Sequence, residues 1–291
     1  MKLKLGDAAF HCVNYTIMIF LVLVTAYPMY YVIMASFSRP DLFLAHEGLL
    51  WRPIGFSTAG YRALFRNPMV VKGMMNTIML VLAGVSVNLI LTVFGAYVLS
   101  RRGLMFKKPI TIFIILTMFL NGGMIPFFLT VKAYGLYNSF WAQIIPTAIN
   151  TFNLLIMRTG FENVPESLEE SAKIDGARPL TVLFRIILPL SKATIAVIIL
   201  YYAVGYWNSW FNAMIFLKDR AKFPLQLILR EILIQNDTNS MMTGADLSDK
   251  DSVGEIIKYA VIVFSTMPII CLYPFLQKYF VAGVMIGAVK G

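Results

Sequence analysis

Apolar residues fall along this chain in blocks too long for the strands or surface helices of a water-soluble domain. Six stand out, at about 13–37, 71–100, 110–130, 141–158, 193–217 and 256–280. A helix needs about 20 mostly apolar residues to cross a bilayer, and each block reaches that range with some tilt. Lipid offers no partner to a backbone N–H or C=O, so each block must satisfy its own as helix. Barrel strands would be shorter and would alternate apolar with polar residues. The predicted fold is therefore an all-α integral membrane protein, one domain over residues 1–291 with six transmembrane helices. Lys2 and Lys4 precede the first block as in a signal peptide, but that block is too long for one and has no cleavage site. It is read as a retained span.

Composition agrees, with 58% hydrophobic and 14% charged residues among 291. The net charge of +10 has a membrane explanation, because basic residues flanking spans meet lipid headgroups. No basic patch is interleaved with aromatics as a nucleic-acid surface would be, so no nucleic-acid partner is expected. Cys12, Cys271, His11 and His46 are scattered and form neither a metal spacing nor a nucleophile set. No catalytic residue, metal or bound cofactor is expected in this chain.

The short loop 101–109 carries Arg101, Arg102, Lys107 and Lys108 with no acid, which marks it as cytoplasmic. Both termini and the segment 159–192 then lie inside as well. Two longer segments lie outside. Residues 38–70 contain several prolines and glycines and a short helical stretch at 60–65. Residues 218–254 begin with the apolar run 223–234, an interfacial helix or a packed plug, and continue as a polar loop at 235–251.

Segment 159–192 carries the most information. Pro165 suits a first helical position, and Glu166, Glu169 and Glu170 suit the positive end of a helix dipole. Glu169 and Lys173 are spaced for an i,i+4 pair worth roughly 0.2–0.5 kcal/mol. Gly176 can adopt the left-handed stop, and Pro179 can begin a second helix whose apolar face is Leu180, Leu183, Phe184 and Ile187. Pro189 ends it. Such a short amphipathic pair must bury its apolar face against its own bundle or against another protein, and the pattern leaves both open.

These residues resemble the EAA loop of ABC importer permeases, whose pattern runs E-A-A-x-x-D-G-A and closes on I-x-L-P. Glu170, Ser171 and Ala172 stand at the first three positions, followed by Asp175, Gly176 and Ala177. Phe184, Ile186, Leu188 and Pro189 complete the pattern, with Ser171 a conservative departure and Ala193 standing where many relatives have proline. The tail Gln277–Val281 and Gly283–Gly291 is similar to the carbohydrate-uptake branch related to maltose permeases. Within it, the chain resembles the oligosaccharide subgroup that includes the smaller permease subunit of a bacterial alginate importer.

The resemblance implies a mechanism. Glu170, Ser171, Ala172, Asp175, Gly176, Ala177, Phe184, Leu188 and Pro189 would form a coupling helix and its support, seated on a cytoplasmic ATPase. Two ATPase subunits holding ATP and Mg, a second homologous permease subunit and an extracytoplasmic solute-binding protein would complete a complex in the bacterial inner membrane. Consistent with this, the chain has no G-x-x-x-x-G-K-[ST] phosphate loop.

Solute contacts are sought among polar and aromatic residues inside the blocks. Tyr202, Tyr206, Trp207, Asn208 and Asn212 in the fifth block, with Asn121 and Asn153, are the candidates for the pathway. The competing roles are an interfacial aromatic belt for the former and interhelical hydrogen bonds for Asn88, Asn121, Asn150 and Asn153. A polytopic membrane enzyme would need a catalytic pair inside the spans. A secondary transporter would show an internal repeat and buried coupling carboxylates. Neither pattern is present.

Overall fold

The computed structural model describes residues 5–235 and 254–271. The C-terminal tail motif, the polar loop at 235–251 beyond its first residue and the end of the sixth block lie outside the described residues. Among the described residues, chain contacts group into two compact units, residues 5–70 with 229–235 and 254–267, and residues 71–228 with 268–271.

The first unit contains α1 (Leu5–Ser36), α2 (Pro40–Leu44), α3 (Ala59–Arg66) and most of the C-terminal helix Gly254–Cys271. Its core is Ala35, Phe43, Leu50 and Ile256, flanked by Tyr31, Met34 and Tyr259. Gly60 allows α3 to meet the C-terminal helix, since a Cβ there would lie 2.9 Å from Ile256 Cγ2. Ser38 closes the loop after α1: its hydroxyl donates to the Met34 carbonyl and accepts from the Ile54 N–H. From Phe10 to Val24, α1 is exposed on every side, as a helix that meets lipid or another apolar surface would be.

The second unit holds most of α4 (Pro68–Ser100), followed by α5 (Lys107–Phe119), α6 (Met124–Ala133), α7 (Thr151–Glu162) and α8 (Glu166–Ile174). Next come α9 (Pro179–Val182), a π turn at Leu183–Ile187, α10 (Leu188–Leu190), α11 (Lys192–Trp207) and α12 (Phe211–Phe216). Helix α13 (Leu225–Gln235) begins in this unit and ends in the other. Among the described residues the elements are helical, apart from one isolated bridge between Ser38 and Phe56. Among the described residues three helices are long and apolar enough to cross a membrane, and there are up to six such spans when each of three bent pairs is taken as one.

Three of the six blocks are bent helix pairs. The third block is α5 and α6, turned 111° at Leu120–Gly123, where Gly123 takes φ +87° and Asn121 Oδ1 accepts from its N–H. The fourth starts as two 3₁₀ turns, with Pro146 unable to continue the hydrogen-bond ladder, and resumes at α7 after a 54° bend. Asn150 therefore works as an N-cap, accepting from Asn153 N–H at 3.0 Å, rather than as a bridge between helices. Helix α7 continues to Glu162, past the expected end at Arg158. The fifth block stops at Trp207 and restarts at Phe211. The run 223–234 is the packed alternative: Leu225, Leu227, Ile228, Leu229 and Ile232 are all buried.

Candidate functional site

Helix α8 shows how the local sequence builds the site. Pro165 lies one residue before the first turn, at the N-cap, not at the first helical position. The other end is a complete Schellman stop. Ala177 N–H donates to the Ala172 carbonyl at 2.9 Å, Gly176 N–H donates to the Lys173 carbonyl at 3.0 Å, and Gly176 sits at φ +77°. Ala172 and Ala177 pack on the core of Phe161, Val182, Leu183 and Ile187. With that face turned in, Glu170, Ser171, Ile174 and Asp175 are left outside, and Ile174 is 86% exposed.

The second helix divides its expected apolar face. Leu183 and Ile187 are fully buried, whereas Leu180 and Phe184 are 57% and 55% exposed. Leu183–Ile187 form a π turn, in which the adjacent Leu183 and Phe184 fall on its buried and exposed sides. Leu188 leans on the same core, and exposed Pro189 lies in the first turn of α10, next to the 84° bend into α11.

Beneath α8 the structure supplies charges that the motif alone does not predict. Arg101, in the corner after α4, forms an ion pair with Glu169, whose side chain is only 9% exposed. Its guanidinium also donates to Ser100 Oγ and lies 4.9 Å from the Tyr97 ring centre. Burial pushes the Arg101 guanidinium below its ordinary value, against the opposing effect of Tyr97, Glu162 and Glu166. The expected Glu169–Lys173 pair is present at 3.1 Å. Lys107 and Arg158 both reach Glu162 Oε1, at 2.9 and 3.0 Å, and Arg102 meets Glu166 at 2.6 Å. Tyr97 OH donates to the Pro179 carbonyl at 3.0 Å, tying the same corner to the second helix. All of these groups except Arg158 line a cavity of about 1060 Å³. The available signal was an all-basic loop facing an acid-rich helix, and complementary charge would have paired them.

None of the seven solute-pathway candidates lines that cavity. Tyr202 and Tyr206 are buried and engaged. Tyr202 OH shares a 2.7 Å hydrogen bond with Thr92 Oγ1 and accepts from Asn150 N–H at 3.2 Å. Tyr206 packs on Gly84, where a Cβ would lie 2.4 Å from the ring. Asn88, with its amide nitrogen toward the Gly84 and Ala148 carbonyls, accepts from Tyr206 OH at 2.9 Å. Asn153 is buried, Asn121 and Asn208 are exposed, and Trp207 and Asn212 are half-buried.

Comparison with known proteins places this architecture. Residues 53–286 match the family described as "binding-protein-dependent transport system inner membrane component". The chain belongs to this family. It is 41% identical over 287 residues to the polygalacturonan/rhamnogalacturonan transport system permease protein YtcP of Bacillus subtilis (strain 168), covering 97% of this chain and 98% of that protein. Protein LplC of the same organism is 41% identical over 268 residues, covering 92% of this chain and 90% of that protein. Among solved structures, one chain of a bacterial ABC transporter involved in the import of the acidic polysaccharide alginate superposes with a TM-score of 0.87. That chain is 30% identical, and the match covers 96% of this chain and 99% of that one.

The chain is thus a permease subunit of a binding-protein-dependent ABC importer, an all-α inner-membrane component and not an enzyme. Its ATPase resides on separate subunits, and such importers in general also require a partner permease and a solute-binding protein.

Proposed function

We propose that α8 is the coupling helix of this permease and sits on a cytoplasmic ATPase subunit through its outer face. One observation carries the reading. A helix anchored by Ala172, Ala177 and Glu169 presents a nearly naked isoleucine, Ile174, ringed by Glu170, Ser171 and Asp175. An exposed apolar side chain on a largely polar helix, with Leu168 also 44% exposed, suits insertion into a partner's cleft. Exposed Leu180 and Phe184 extend that apolar surface. In the assembled importer two ATPase subunits supply ATP and Mg, a second homologous permease completes the pathway, and a binding protein delivers solute outside. Both termini and residues 159–192 lie on the cytoplasmic side.

The solute class we assign is a uronate-rich oligosaccharide. The support is that a relative named for polygalacturonan and rhamnogalacturonan and a structural neighbour titled for alginate both handle acidic polysaccharides. Trp207, Asn208, Asn212 and Asn121 remain the candidates for contact with it. Tyr202, Tyr206 and Asn153 serve first to hold the helices around it.

Two experiments test these assignments. In membranes carrying all subunits, Ile174→Asp is expected to reduce retention of the ATPase subunits at least tenfold during purification. Full retention together with normal ATPase activity would remove the docking role. For the solute, calorimetry of the cognate binding protein with oligogalacturonides, alginate oligomers and neutral maltooligosaccharides should give binding only to the acidic series. Preference for the neutral series sinks the uronate assignment.

A further inference from the structure

A coupling helix is useful only if its motion reaches the membrane helices. For α8 the covalent route is poor, because the helix is flanked by the turn at 163–165 and by the left-handed Gly176. Side chains offer a second route. The corner that joins α4 to α5 is tied to α8 by Arg101–Glu169 and Arg102–Glu166, and to the end of α7 by Lys107–Glu162. Helix α5 begins at Lys107 and leads straight to the 111° break that holds Asn121.

The three links are not equal. Arg102 is 83% exposed, so water screens its pair and little coupling is expected from it. Arg101 and Glu169 are 22% and 9% exposed, and the guanidinium is held by Ser100 and Tyr97 of α4 at the same time. A planar fork can meet a carboxylate, a hydroxyl and a ring at once, which an ammonium cannot. Glu169 also lies beside the E-A-A positions and points inward, so it faces no partner.

We infer that Arg101 is a positioning residue, which makes α8 and the α4–α5 corner move as one body when the ATPase subunits close. This role rests on the docking of α8 proposed for the importer. Arg101 touches neither solute nor ATPase. It acts through Glu169, and its loss lets α8 follow the ATPase while the corner lags behind.

The test uses the complete importer with spin labels at Met105 and Ser167, two exposed positions on the corner and on α8. In otherwise wild-type protein the distance between labels is expected to be narrow and equal in the nucleotide-free and ATP-trapped states. With Arg101→Ala it should broaden and shift on trapping, and stimulation of ATP hydrolysis by the binding protein should fall about tenfold. Arg101→Lys should recover part of both. The exchange Arg101→Glu with Glu169→Arg should recover more than either single change, which a folding defect would not allow. An Arg101→Ala importer with an unchanged distance distribution and stimulation within twofold of wild type overturns the inference. If instead Ile174→Asp leaves ATPase retention intact, the docking reading fails, and the two failures are told apart.

Discussion

The charged corner at Arg101–Glu169 and the aromatic seam at Tyr202–Tyr206 solve one problem, holding helices together, by opposite chemistry. At the corner, ions are paired beside a water-accessible cavity, and several pairs remain partly exposed. In the seam, neutral hydroxyls and an amide bond one another across α4 and α11, and Gly84 lets the Tyr206 ring come against the backbone. Close packing carries more of the seam's stability than its hydrogen bonds do, because unfolded segments in a membrane find other partners. At the corner electrostatics carries more, because removing one partner leaves a poorly hydrated charge. One end is built to be rigid, the other to transmit.

The comparison breaks most readily at the glycine. Gly84→Val would force a side chain into the Tyr206 ring and is expected to cost about 3 kcal/mol, read as lower thermal stability in detergent. Next, Glu169→Ala strips Arg101 of its carboxylate and should cost about 2 kcal/mol, below the fully buried case because Arg101 keeps some water. Glu169→Gln, which retains hydrogen bonding, should recover part of this in the same measurement. In the seam, Tyr202→Phe deletes the hydroxyl bonded to Thr92 and Asn150 while keeping the ring, for a loss of about 0.6–1 kcal/mol. A loss above that of Glu169→Ala would reverse this division of labour. Smallest is Arg102→Ala, whose exposed pair with Glu166 should matter by less than about 0.5 kcal/mol in urea or thermal titrations.

The two regions also differ in how far they could be read along the chain. Helix α8 and its stop are local: Ala172, Lys173, Gly176 and Ala177 lie within six residues, so spacing suffices to predict the turn. The Thr92–Tyr202 contact joins residues 110 apart, and Asn76 reaches the carbonyls of Ala221 and Phe223, 145 and 147 residues away. No periodicity announces such pairs. Along the chain Tyr202 and Tyr206 could serve the pathway or an interfacial belt, and the structure adds that their hydroxyls bond Thr92, Asn150 and Asn88. Asn138 was missed for the same reason. Its side chain accepts from Lys218 and Asp219 N–H groups 80 and 81 residues on and anchors the start of the long loop.

Sequence by itself determined that the chain is helical and membrane-embedded, because lipid leaves the backbone no other way to satisfy its polar groups. It also determined where α8 stops, because Gly176 alone in that stretch takes a left-handed conformation without strain. Only the tertiary structure decided which face of α8 is outward, and that Leu183 and Phe184 fall on the buried and exposed sides of a π turn. Whether Glu169 is solvated or paired with Arg101 was decided there too. A charge pattern states which groups could attract one another, but distance and burial select which of them do, and those are properties of how the helices pack.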